Sequence, residues 1–158
     1  GAISNGVINI LSDGSPWRPL IHVSDMGRAI DWGVTRESKN GGSMLVVNAG
    51  SNEWNYQVKD LADAVSNEIP GTKIEINLDA MPDKRSYKVD FSKFKELAPN
   101  HQPKVSLTDA VKGLKDGLLS MEFCDNNFRD SEFIRLNILN GHIESKRITD
   151  NLKWIKNS

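Results

Sequence analysis

Apolar positions come in short runs separated by turn residues, and their spacing changes along the chain. Val7-Ile8-Asn9-Ile10-Leu11 reads as a short strand ended by the turn signal Asp13-Gly14. Leu20, Ile21 and Val23 read as a second short strand. Met26, Ala29, Ile30, Gly33 and Val34 then recur at helical spacing and predict a helix from about Asp25 to Arg36, capped by Ser24 or Asp25. Lys39 to Ser43, with Asn40-Gly41-Gly42, is a loop. Met44-Leu45-Val46-Val47-Asn48-Ala49 is a nearly continuous apolar run bounded by glycine. It is expected to be a strand covered on both faces, as in a parallel sheet.

The second half continues in the same way. Val58, Leu61, Ala62, Val65 and Ile69 form a helical stripe over about Gln57 to Glu68, stopped by Pro70-Gly71. Lys73 to Leu78 alternates apolar and polar, the pattern of a half-buried strand. Arg85 to Asp90 reads as extended. Ser92 is placed to cap a short helix through Leu97, with Pro99 after it, and Ser106 or Thr108 opens a helix carrying Leu107, Ala110, Val111, Leu114 and Leu118. Asp130-Ser131 precedes apolar Phe133, Ile134, Leu136 and Ile138, and a last segment carries Ile148, Leu152 and Ile155. The pattern predicts a mixed α/β fold with a small sheet and several helices.

Composition narrows the function classes. The chain has 158 residues, 38% of them hydrophobic and 26% charged, enough to build one domain with a core. A net charge of −1 leaves no basic footprint for nucleic acid, and no apolar run reaches the length of a membrane span. The single cysteine, Cys124, allows no intrachain disulfide and fits a reducing cytoplasm. His22, His101 and His142 lie far apart and have no zinc-ligand spacing with Cys124, so no metal site is expected.

Candidate chemistry concentrates in Ser15-Pro16-Trp17-Arg18-Pro19-Leu20-Ile21-His22-Val23-Ser24-Asp25. Pro16 and Pro19 bracket Trp17 and Arg18, and proline biases the residue before it toward extended backbone, so Arg18 sits on extended chain. A fixed guanidinium ahead of a strand-to-helix joint suits an anion, because its forked donors match a phosphate. With Asp13-Gly14, this stretch resembles the "G-x-x-x-R-x-x-x-H-V-x-D" segment of the extended short-chain dehydrogenases, the NAD-dependent nucleotide-sugar epimerases and dehydratases. In that family the arginine contacts the diphosphate of the nucleotide sugar.

Two further stretches carry the same resemblance. Asn48-Ala49-Gly50 is similar to the family's "N-x-G" strand end. Asp83-Lys84-Arg85-Ser86-Tyr87-Lys88-Val89-Asp90-Phe91-Ser92-Lys93 resembles its late "G-D-x-R-x-Y-x-x-D-x-S-K" segment. Pro82 stands where the family has glycine, and the family's slightly earlier arginine position falls near Ala80, which leaves Arg85 as the second candidate for the diphosphate. Trp17 can stack on a base or sugar or can pack as core. His22 reads as a hydrogen-bonded histidine near the site, not a catalytic base, and Asp25 as a helix cap, not an acid. Asn48 and Asn52 stand where a strand ends, the usual ligand edge of an α/β sheet. Trp54 and Tyr56 read as packing residues.

Missing motifs weigh equally. The dinucleotide fingerprint G-x-x-G-x-x-G appears nowhere, and neither Tyr56 nor Tyr87 is followed four residues on by lysine, so the family's Y-x-x-x-K acid–base pair is absent. The chain opens almost at once on an apolar stretch, and the resemblance begins in its middle. The whole of 1–158 therefore reads as a single C-terminal substrate-binding region, with 20–50 a strand–helix–strand belonging to the Rossmann sheet of a parent enzyme. The resemblance implies a portion that holds a nucleotide diphosphate sugar while a missing N-terminal half, carrying NAD, transfers the hydride. The competing reading is a stand-alone binding or interaction module without catalytic activity. An uncovered apolar strand implies association with the missing half or with a second copy.

The absent fingerprint generates a direct expectation. Calorimetric titration of the chain with NAD should give no saturable binding; a saturable isotherm with micromolar affinity would overturn this reading.

Overall fold

The computed structural model describes residues 1–80, 85–128, 130–131 and 133–155. Along them run α1 (Ala2–Asn5), β1 (Val7–Ile10), β2 (Trp17–Pro19), α2 (Val23–Thr35), β3 (Asn55–Gln57), α3 (Val58–Glu68), β4 (Lys73–Ile76), α4 (Ser92–Leu97), α5 (Leu107–Ser120) and α6 (Arg135–Glu144). The architecture is mixed α/β, as expected. Its strands form two separate two-stranded pairs: β1 with β4 in parallel, Ile8 opposite Ile74, and β2 with β3 antiparallel, Arg18 opposite Tyr56. No helix among the described residues is long and apolar enough to cross a membrane.

Local chemistry explains the helix starts. The Asp60 carboxylate accepts from the Gln57 N–H at 3.1 Å, closing the first turn of α3. Ser106, not Thr108, caps α5, its Oγ accepting from the Asp109 N–H at 3.1 Å. The stripe of α3 packs on α5 and on the β1–β4 pair. A second core lies between α2 and α4, where Trp32 meets Phe94 edge-on at 5.4 Å with Ala98 beside them. Leu45, Val47 and Ala49 close over this cluster.

Asp25 joins the two halves of the chain. Its carboxylate, 1% exposed, accepts from the Lys104 N–H and the Val105 N–H, each at 3.0 Å, and lies 3.8 Å from Arg28 Nε. A carboxylate holding two backbone donors fixes the approach to α5 against α2.

The structure departs from the expected elements at several places, among them Ser92, which is the first residue of α4 and not its cap, the cap position being Phe91. The strand lies at Trp17–Pro19, not at Leu20 to Val23, because Asn55–Gln57 offers its partner edge there; the Leu20 N–H still reaches the Trp54 carbonyl at 3.0 Å before the helix begins. The cap of α2 is His22, whose ring accepts from the Ser24 N–H at 3.2 Å, so neither Ser24 nor Asp25 caps it, and Asp25 spends its carboxylate on the distant backbone. Met44 to Ala49 is not buried on both faces. Leu45, Val47 and Ala49 face the core while Met44 and Val46 are 82% and 80% exposed, and no described strand pairs with it. The region 20–50 thus contains the expected helix without flanking paired strands. Arg85 to Asp90 forms no ladder either. The turn at Pro82-Asp83, with Lys84, lies outside the described residues.

Asp25→Asn keeps the shape but turns an amide N–H toward one of two backbone donors. It should lower unfolding stability by about 1–3 kcal/mol, the cost of an unsatisfied buried donor. Urea denaturation at an unchanged m-value measures it; a midpoint within error of the parent's would show that Asp25 is not the joint described.

Candidate functional site

Residues 14–20 are laid against 54–59 by backbone bonds. The Lys59 N–H donates to the Gly14 carbonyl and the Val58 N–H to the Pro16 carbonyl, both at 3.0 Å, while Gln57 Nε2 reaches the Ser15 carbonyl at 2.8 Å. Gly14 has φ +80°, and a Cβ there would stand 3.1 Å from Lys59 Cβ, so the turn needs glycine for both conformation and space. The result is a short rigid ribbon carrying Trp17 and Arg18.

Residues 85–92 cross this ribbon as a strap, held by side chains where a neighbouring strand would use backbone. Asn55 Nδ2 donates to the Val89 carbonyl at 3.0 Å, and its Oδ1 accepts from the Val89 N–H at 2.8 Å. Three residues earlier, Asn52 Oδ1 accepts from the Phe91 N–H at 2.7 Å and Nδ2 donates to Ser92 Oγ at 3.1 Å. The Trp17 N–H donates to Ser86 Oγ at 3.0 Å, and Lys88 Nζ lies 3.7 Å over the Trp17 ring, a cation–π contact. Phe91 at the end of the strap is buried, and its ring fills the space where a Cβ on Gly50 would stand, 2.5 Å from Cε1. Hydrogen bonds from Ser92, through its side chain and its N–H, hold the Asp90 carboxyl below the usual carboxylate range.

The strap brings the two candidate arginines together. Arg18 Nη1 donates to its neighbour's carbonyl, that of Trp17, at 2.7 Å and to the Arg85 carbonyl at 3.0 Å. Both arginines line one cavity of about 820 Å³ between β1, α3 and α5. Its walls are mainly apolar, with Leu61 and Val65 on one side and Val111 and Leu118 on the other; Lys115 is the third basic side chain, and no carboxylate lines it among the described residues. Lys115 is itself held by Glu68, Nζ to Oε2 at 3.4 Å. Tyr56, opposite Arg18 on the ribbon, has its phenol pushed up by burial and by Glu53, so it stays neutral near neutral pH. This arrangement favours an anion with an apolar or flat body; among the described residues no proton-transfer pair lines the cavity.

The other candidates lie elsewhere. Asn52 is half of the strap's anchor, and Asn48 is exposed; neither lines the cavity with the arginines. His22 is the cap of α2, its Nδ1 2.7 Å from Ser24 Oγ. Trp17 meets Lys88 across one ring face, so a base or sugar stacking on that face would have to displace the ammonium. Among the described residues no group of three or more His, Cys, Asp or Glu is placed to hold a metal ion. Asn55 and Lys115 escaped the sequence reading, and Ser86 and Lys88 entered it only as members of the Asp83–Lys93 stretch, with no role of their own.

Asn55→Ala removes both bonds to Val89 and should cost about 1–3 kcal/mol, two neutral hydrogen bonds at 0.5–1.5 each. Amide exchange at Val89 should accelerate with it. Unchanged exchange at Val89 would mean that the strap is held by something other than the asparagine.

Compared with protein-family models and with curated protein sequences, the chain matches none of them.

Proposed function

We propose that this chain is the nucleotide-sugar-binding portion of an NAD-dependent epimerase or dehydratase of the extended short-chain dehydrogenase type. Its role is to hold the nucleotide diphosphate while a separate Rossmann half carries out hydride transfer. The observation that supports this most is the convergence of Arg18 and Arg85. They are 67 residues apart, sit on a ribbon and on the strap across it, and line one cavity free of carboxylates among the described residues. Two arginines lining one cavity suit a diphosphate, since each guanidinium can form charge-assisted hydrogen bonds with phosphate oxygens.

On this reading α2 and α3 give NAD no cradle. A dinucleotide needs a glycine-turn helix N-terminus open to its pyrophosphate. Here the first turn of α2 carries Asp25 and that of α3 carries Asp60, whose carboxylate occupies the Gln57 N–H. On this reading hydride chemistry belongs to the separate half, and the role of this chain is to bind and orient.

The test is calorimetric titration with a panel of nucleoside diphosphate sugars differing in base. Arg85→Ala is the cleaner variant, because Arg18 bonds to the Arg85 carbonyl and not to its side chain in that contact. Arg85→Ala and Arg18→Ala should each weaken binding by about 1.5–3 kcal/mol, roughly ten- to a hundredfold. Arg18→Lys should recover part of the loss, because the ammonium lacks the fork. Failure of every member of the panel to bind, or equal affinity for the alanine variants, would leave the stand-alone binding module as the better reading.

A further inference from the structure

We propose that Ser86 is the positioning residue of the arginine pair: its hydroxyl fastens the strap to the ribbon at the height where Arg85 shares the cavity with Arg18. This role deepens the reading of that cavity as a diphosphate site and rests on it.

The strap is fastened differently at its two ends. Its far end is anchored by Asn55 at Val89, by Asn52 at Phe91 and Ser92, and by the buried ring of Phe91. Residues 85–88, by contrast, are exposed and make no backbone–backbone hydrogen bond to any described residue. At about 3.3 Å per extended residue, Arg85 lies up to roughly 13 Å of chain from the anchor at Val89. That anchor alone does not set where Arg85 lies.

What sets it is a closed ring of contacts between 17–18 and 85–86. The Trp17 N–H donates to Ser86 Oγ at 3.0 Å. Arg18 Nη1 donates to the Trp17 carbonyl at 2.7 Å and to the Arg85 carbonyl at 3.0 Å. Both backbone groups of Trp17 are thus met by side chains, one from the strap and one from the ribbon. Lys88 touches the same residue, 3.7 Å over its ring, but through a long side chain with many rotamers. The serine hydroxyl stands close to its own backbone, so it passes the position of Trp17 on to the neighbouring Arg85. The bond is exposed, and water replaces it at little cost in folding. Its loss tells on binding instead, because an anion held by two guanidiniums then has to order the strap as it binds.

Inorganic pyrophosphate, the bare diphosphate, is the probe, titrated calorimetrically into the full chain. Ser86→Ala should weaken its binding about three- to tenfold, the worth of one neutral hydrogen bond, with the urea midpoint of unfolding little changed. Ser86→Thr keeps the hydroxyl and should bind like the parent, and amide exchange at Trp17 should be faster in the alanine variant only. In an Arg85→Ala background, Ser86→Ala should have no further effect, because Ser86 acts through Arg85. Equal pyrophosphate affinity of the parent and Ser86→Ala would overturn the role of Ser86 and leave the cavity reading intact. So would the same loss with Arg85 already removed. Pyrophosphate that fails to bind the parent would overturn it as well; whether the cavity reading falls with it is decided separately, by the panel of nucleoside diphosphate sugars.

Discussion

Substitution of side-chain amides for a missing strand is the constraint on which the candidate site depends. The segment 85–92 has no ladder of its own, yet it must lie across β2 for Arg85 to share a cavity with Arg18. Asn55 presents a donor and an acceptor to Val89 as a neighbouring backbone unit would, and Asn52 repeats the arrangement one step along at Phe91 and Ser92. An amide side chain is suited to this because it carries the same pair of groups as a peptide bond. Phe91 then seals the strap by burial against Gly50.

The same device appears at the other long-range joint. Asp25 holds the Lys104 and Val105 backbone from the first turn of α2. Such anchors matter in this chain because its sheets are small. A two-stranded pair is marginal by itself and gains stability from what packs on it. Here β1 and β4 rely on α3, and β2 and β3 rely on the strap. Each apolar side chain taken out of water contributes about 1.5–3 kcal/mol. The Trp32–Phe94 cluster and the α3–α5 contact are two places where the fold gains in this way.

Electrostatics in the cavity follow from the packing. Arginine is always charged and weakly hydrated, so it tolerates a partly apolar surround better than lysine does. Arg18 bonds to carbonyls of the ribbon and the strap, which orients its plane. Lys115, by contrast, is neutralised locally by Glu68. Arg18 and Arg85 line the same cavity. That is the physical basis for proposing a diphosphate there.

Local pattern alone determined the three longest helices, α2, α3 and α5. The stripes over α2, α3 and α5, the strand at Val7–Ile10, the alternation at Lys73–Ile76 and the Ser106 cap are legible because each depends on residues within a few positions of one another. The extended setting of Arg18 between two prolines was legible for the same reason. Tertiary structure decided what depends on distant partners. It moved the strand from Leu20–Val23 to Trp17–Pro19, because pairing goes to whichever residues meet an open edge. It made His22 the cap and freed Asp25 to bind backbone 79 and 80 residues away. It also left the apolar run at Met44–Ala49 covered on one face only: hydrophobicity marks a strand that can be buried, but burial on the second face requires a neighbour that the sequence pattern cannot name. The contacts of Lys88 with Trp17 and of Asn55 with Val89 had no local signature, since an amide or an ammonium looks the same in sequence whether it meets water or a backbone far along the chain.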